Sequence, residues 1–171
     1  MGLTVFFCYD RLLDIQRAKR IKHRYEMKGG RAIGFPKPNE WKKIKKRGEQ
    51  AIRYWVEDQV HFSDVTAVLI GENTSKDPVV RQAIIACHQL EKGLLGIYIH
   101  NIRSDNGRRT PQGPNPFDNF CVVKGDQKTK LSEFYPTYDW IRHTGHFNLN
   151  QWITKAAQTA WNPFSQMTYG I

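Results

Sequence analysis

The chain has 171 residues, 40% of them apolar and 12% aromatic, and carries 26 Lys and Arg against 16 Asp and Glu for a net charge of +10. That composition excludes a disordered chain. The length suits one domain that buries about 70% of its unfolded surface without disulfides or metal. Cys8, Cys87 and Cys121 are too few and too widely spaced for a disulfide framework or a zinc site.

The charge is uneven. Residues 1–60 hold 15 basic and 7 acidic side chains, a net of +8; residues 61–120 hold 6 and 6; the last 51 hold 5 and 3, a net of +2. A basic first third points to a polyanion, an acidic partner or a phosphate-bearing substrate, or to a solvated helix face. There is no run of about 18 apolar residues, so no membrane helix is expected. MGLTVFFCYD shows neither a basic n-region nor a cleavage site, and Gly2 lacks the downstream Ser or Thr of a myristoylation signal. These readings make the protein an expected cytoplasmic one.

Residues 3–8, LTVFFC, read as a buried parallel strand. Residues 11–28 follow as a basic amphipathic helix with Leu12, Ile15, Ile21 and Tyr25 on its apolar side, stopped by Gly29 and Gly30. Residues 31–35 form a short strand before Pro36 and Pro38. Asn39 is a candidate N-cap for one helix over 40–60, with Trp41, Ile44, Gly48, Ala51, Ile52, Trp55 and Val56 at helical spacing and Lys42, Lys43, Lys45, Lys46 and Arg47 opposite. Residues 65–71, VTAVLIG, are the clearest strand. The loop ENTSKDP leads to a helix over 79–92, with Val80, Ala83, Ile84, Cys87 and Leu90 on one face and Gly93 as its stop. Residues 94–99, LLGIYI, are another buried strand, and 101–119 a long loop. FCVV at 120–123 is read as the last strand, and 138–161 as helical or irregular with Trp140, Trp152 and Trp161 as anchors.

Alternating strands and helices predict an α/β domain with a five-stranded parallel sheet in flavodoxin-like order 2-1-3-4-5, with 1–125 as its core and 126–171 as a C-terminal helical extension. In that order a ligand crevice lies where strands 1 and 3 part, at Cys8–Asp10 and Gly71–Pro78.

No GxGxxG, GxxxxGK[ST], GxSxG or HExxH motif is present. At the expected crevice Asp10 either binds a ribose hydroxyl or caps the next helix, and Tyr9 either stacks on a ring or packs. Cys8 reads as a buried small hydrophobe. Arg81 either contacts phosphate or faces solvent. His88 and His100 have no partner spacing; His143 and His146 lie three apart with no third ligand. The lysines at 42–46 lie opposite Trp41 and Trp55, so a nucleic-acid surface, which wants both on one face, is disfavoured.

The residues resemble a known family. VFFCYD is similar to the VFFSFH-type first strand of the Thoeris TIR-like proteins of the ThsB type. VTAVLIG…VVRQAI is similar to that family's VxxVLIG…WVRYEI, and KGLLGIYIHN…GPNPFD to its KxIIGIxIN…GPNPFD; the later YDW at Tyr138–Trp140 also recurs. The resemblance implies a flavodoxin-like TIR fold and a role in antiphage defence. It implies an enzyme that senses a phage-derived protein trigger, takes NAD+ as substrate rather than cofactor, and makes a cyclic or conjugated ADP-ribose messenger for a separate effector. It further implies a possible homo-oligomer, Phe6, Cys8, Tyr9 and Asp10 lining the nicotinamide-ribose pocket, and Arg81 at its rim.

The chain departs from the family where the chemistry is done. Aligning Arg81 with the motif's Arg puts Ala83 at the family's catalytic Glu, Val79 at its Trp, and Cys8 at its Ser. Glu72, Asp77 and Glu91 lie too far along the chain to take the place of that Glu. Either the chain carries a deliberate Glu→Ala change, or it is a member that senses or scaffolds without catalysis. Both predict slow or absent NAD+ turnover.

Overall fold

The computed structural model describes residues 2–159 and the strand 166–169. Five strands form one all-parallel sheet: β1 (Thr4–Cys8), β2 (Arg31–Ile33), β3 (Val65–Ile70), β4 (Gly93–Tyr98) and β7 (Thr137–Asp139), in the order β2-β1-β3-β4-β7. This is the expected flavodoxin-like order, but its fifth place belongs to residues 137–139 and not to 120–123.

Residues Phe120–Lys124 instead form β5 of a small antiparallel sheet, between β6 (Gln127–Lys130) and β8 (Gln166–Tyr169). The reason is a hairpin. Gly125 (φ 62°) and Asp126 are the two residues between β5 and β6, and such a pair reverses the chain tightly. β7 is short, polar and preceded by Pro136, which suits an edge strand. Its Thr137 pairs with Gly96, where a side chain would collide with Ile70 and Thr137 itself.

The helices are α1 (Arg11–Met27), α2 (Pro38–Lys46), α3 (Glu49–His61), α4 (Pro78–Gln89) and α5 (Gly145–Gln158). The single helix expected over 40–60 is two, because Gly48 adopts φ 95° between them. Pro38, not Asn39, opens α2: its fixed φ suits a first helical residue. Gly93 does not stop α4 but starts β4; the left-handed residue there is Glu91 (φ 56°). Leu12 (88% exposed) and Leu90 (41%) lie outside the core that the helical spacing gave them.

Strand alternation sorts the core into two layers. Val5, Phe7 and Tyr9 face α1 and α5, with Ala18, Ile21 and Tyr25 from the first and Leu149, Trp152, Ile153 and Ala156 from the second. Phe6 and Cys8 face the other side, with Val56 and Val60 of α3 and Val80, Ala83, Ile84 and Cys87 of α4. β7 and α5, placed by sequence in an extension beyond residue 125, complete the sheet and cover one face of it. Tyr138 of β7 stacks on Trp152 of α5 at 4.3 Å and 6°. Trp161 lies outside the described residues.

Candidate active site

The sheet order changes direction between β1 and β3, so their carboxyl ends are where an open α/β sheet takes a ligand. A narrow cleft lies there on the α3 and α4 side, lined by Phe6, Cys8, Tyr9, Arg11, Gly34, Trp55 and Val79. Its volume is about 10 Å³, room for about one water.

Phe6, Cys8 and Tyr9 are thus brought together, although alternation sends them to different faces. Phe6 meets Trp55 edge-on at 5.9 Å. Cys8 is buried, and desolvation, with the Asp77 carboxylate adding to it, pushes its thiol well above the ordinary range. It is a wall of the cleft and no ready nucleophile. Burial pushes the Tyr9 phenol up to about 12, and its hydroxyl donates to the Gly34 carbonyl at 3.3 Å.

Asp10 is placed as a helix cap. Its Oδ1 accepts from the amides of Leu12 (3.0 Å) and Leu13 (3.1 Å) at the start of α1. Asp77 caps α4 in the same way, accepting from Val79 at 2.8 Å, and burial raises its pKa. Arg81 is exposed on the first turn of α4 and does not line the cleft. Ala83 is fully buried one helical turn beyond Val79, on the same stripe of α4 and in the same apolar cluster as Phe6, Cys8 and Trp55. Ala83 itself does not line the cleft, and no carboxylate lines it.

The second half of the expected crevice, Gly71–Pro78, is covered by the GPNPFD segment. Gly113 sits so close to the Gly71 and Glu72 carbonyls that any side chain would collide with both. Asn119 donates to the Ser75 carbonyl at 3.0 Å, and Phe117 is fully buried. Beneath the same strand end, Arg17 of α1 donates to Asp14 at 3.1 Å and to the Ile102 carbonyl at 2.7 Å. Burial outweighs that pairing and raises Asp14 to about 6.

Sequence reasoning missed Arg11, Trp41 and Trp55. Arg11 is the one cation lining the cleft; its guanidinium lies over Trp41 at 4.8 Å, and Trp41 meets Trp55 at 5.0 Å. The two tryptophans read as core because of their helical spacing, yet both are half-buried. A wider groove of about 360 Å³ between α3 and α4 lies at the opposite, amino-terminal edge of the sheet. His143 accepts from the Asp139 amide at 2.8 Å, and His146 packs on Phe147. Among the described residues no group of three His, Cys, Asp or Glu side chains could hold a metal ion. Nor does any described helix have the length and apolarity to cross a membrane.

A family model described as "Thoeris protein ThsB, TIR-like domain" matches residues 6–104. The chain belongs to the Thoeris ThsB TIR-like family. The match runs from β1 to just beyond β4, and so takes in the cleft, Arg81 and Ala83. A Bacillus cereus (strain MSX-D12) protein named "Putative cyclic ADP-D-ribose synthase ThsB1" is 30% identical, across 90% of this chain and the whole of that protein. A solved Clostridium botulinum CMP N-glycosidase, BcmB, is similar at 16% identity and a TM-score of 0.38, over 56% of this chain and 68% of that one. A likeness that low carries no argument here.

Proposed function

We propose that this Thoeris TIR-like chain binds NAD+ in the cleft at the end of β1 and, with Ala at position 83, turns it over slowly or not at all. The reading draws on the B. cereus relative, whose name is that of a cyclic ADP-ribose synthase. In an antiphage system such chemistry makes a cyclic or conjugated ADP-ribose messenger for a separate effector, in response to a phage protein.

The chemistry states what the site needs. Breaking the bond from nicotinamide to ribose develops positive charge on the anomeric carbon, and a nearby carboxylate stabilises that charge and orients the ribose hydroxyls. Phe6 and Trp55 offer ring surface for the base, and Arg11 offers a cation for the pyrophosphate. The observation that carries the proposal is Ala83: buried one helical turn after Val79, which lines the cleft, in one apolar cluster with Phe6, Cys8 and Trp55, while no carboxylate lines the cleft.

The test is nicotinamide release from NAD+ by the chain and by Ala83→Glu. Restoring the carboxylate is expected to raise release by about 100-fold or more. A folded Ala83→Glu variant that releases no more than the parent defeats the enzymatic reading. It would favour the alternative, a non-catalytic sensor or scaffold for a protein partner, which the lack of any carboxylate in the cleft also suits.

A further inference from the structure

The helix at the edge of the cleft, α2, is lightly attached: its Trp41 touches Trp55 and Arg11, both of which line the cleft. α2 has no buried residue. It enters through Gly34 (φ 99°) and the Pro36–Pro38 stretch, and leaves at Gly48 (φ 95°), around whose Cα no atom would meet a side chain. Two left-handed glycines frame a helix whose half-buried side chains are Trp41 and Ile44, Trp41 lying against Trp55 and under the Arg11 guanidinium. Arg11 in turn donates to the carbonyls of Gly34 and Pro36 and to the Tyr9 hydroxyl, each at 3.3 Å. All three bonds are long, and none is to a carboxylate.

So the one cation lining the cleft is held there by weak, neutral acceptors. The cleft, at about 10 Å³, admits no nicotinamide ring. A phosphate offers a guanidinium charged, bidentate acceptors in place of neutral carbonyls. We propose that Arg11 is a latch and a positioning residue: it holds α2 against the edge of the cleft through Trp41 and the Gly34–Pro36 backbone, and releases it to a ligand that carries phosphate. This rests on the nucleotide reading for its ligand and not for the latch itself. It makes admission selective, because an uncharged fragment has nothing to exchange for the arginine's contacts.

The experiment is hydrogen exchange of residues 38–47 in the full chain, read together with the urea midpoint. Arg11→Ala is expected to speed exchange in α2 by about fivefold or more while the midpoint of global unfolding moves little. Arg11→Lys keeps the charge but not the planar stack, and should lie between. Unchanged α2 exchange in Arg11→Ala overturns the latch. Exchange that rises everywhere in step with a lower midpoint overturns it too, because that is general destabilisation. In the parent chain NAD+ should speed α2 exchange and nicotinamide alone should not; an equal effect of both removes the selectivity for phosphate. If α2 is loosened by Arg11→Ala while NAD+ alters exchange in no variant, Ala83→Glu included, the latch stands and the nucleotide reading falls.

Discussion

Placing a glutamate at position 83 should cost stability in a way that depends on pH. Ala83 is fully exposed to neighbouring side chains and not at all to solvent, in a cluster with Phe6, Cys8, Val80 and Ile84. Ala83→Glu adds four heavy atoms to that cluster. Crowding of that kind costs about 1–3 kcal/mol. The charge is a separate matter. Asp14, a buried carboxyl with an arginine beside it, already stands at about 6. A Glu at 83, fully buried among apolar groups, is expected to reach at least that, from an ordinary value of about 4.3.

The difference is worth about 2 kcal/mol. A carboxyl raised on folding binds its proton more tightly in the folded state, so stability falls as pH rises from the unfolded to the folded value. The variant should therefore show only the crowding cost at pH 4 and about 2 kcal/mol more at pH 8. Ala83→Gln, of the same shape without the charge, should show the crowding cost at both. Urea unfolding followed by tryptophan fluorescence measures this. A Glu variant as stable as the Gln variant at both pH values would refute the placing of position 83 in a dry, apolar layer. The same titration sets an acid limb near pH 6 on any activity the variant gains.

Two other outcomes follow from the cap and the ion pair. Asp10→Ala should cost about 1 kcal/mol in urea unfolding and Asp10→Ser only a fraction of that, since Asp10 serves the Leu12 and Leu13 amides and serine can replace it there. Asp14, raised mainly by burial against the opposing pull of Arg17 and with Asp10 and Glu72 adding to the rise, gives stability that declines by about 3 kcal/mol between about pH 3 and 7. Asp14→Asn should lack that decline, as read from urea midpoints across the range.

The sheet was legible because its strands are apolar runs: VFFC, VTAVLI and LLGIY announce themselves, and their order follows from the helices between them. The fifth strand was hidden because TYD is three residues long and polar, while the more apolar FCVV was drawn away by the Gly125–Asp126 turn. The break at Gly48 was masked by a helical spacing that ran through it. At the site, the position of Ala83 could be reached from the family motif, and its burial from its place on the apolar face of the helix over 79–92. The division of Cys8 and Tyr9 between two faces follows from alternation along β1, although the expected pocket placed both on one wall. Arg11 was passed over because a lone basic residue at a helix start gives no signal; only the fold brings Gly34, Pro36 and Trp41 around it.

Nucleotide binding in the cleft at the end of β1 is tested most directly by calorimetric titration of the chain with NAD+, which it should bind without consuming. The account predicts one NAD+ per chain at millimolar concentration or below, lost in a folded Cys8→Trp variant that fills the cleft. Absence of binding by the chain and by a folded Ala83→Glu variant, or binding that Cys8→Trp leaves intact, would contradict it.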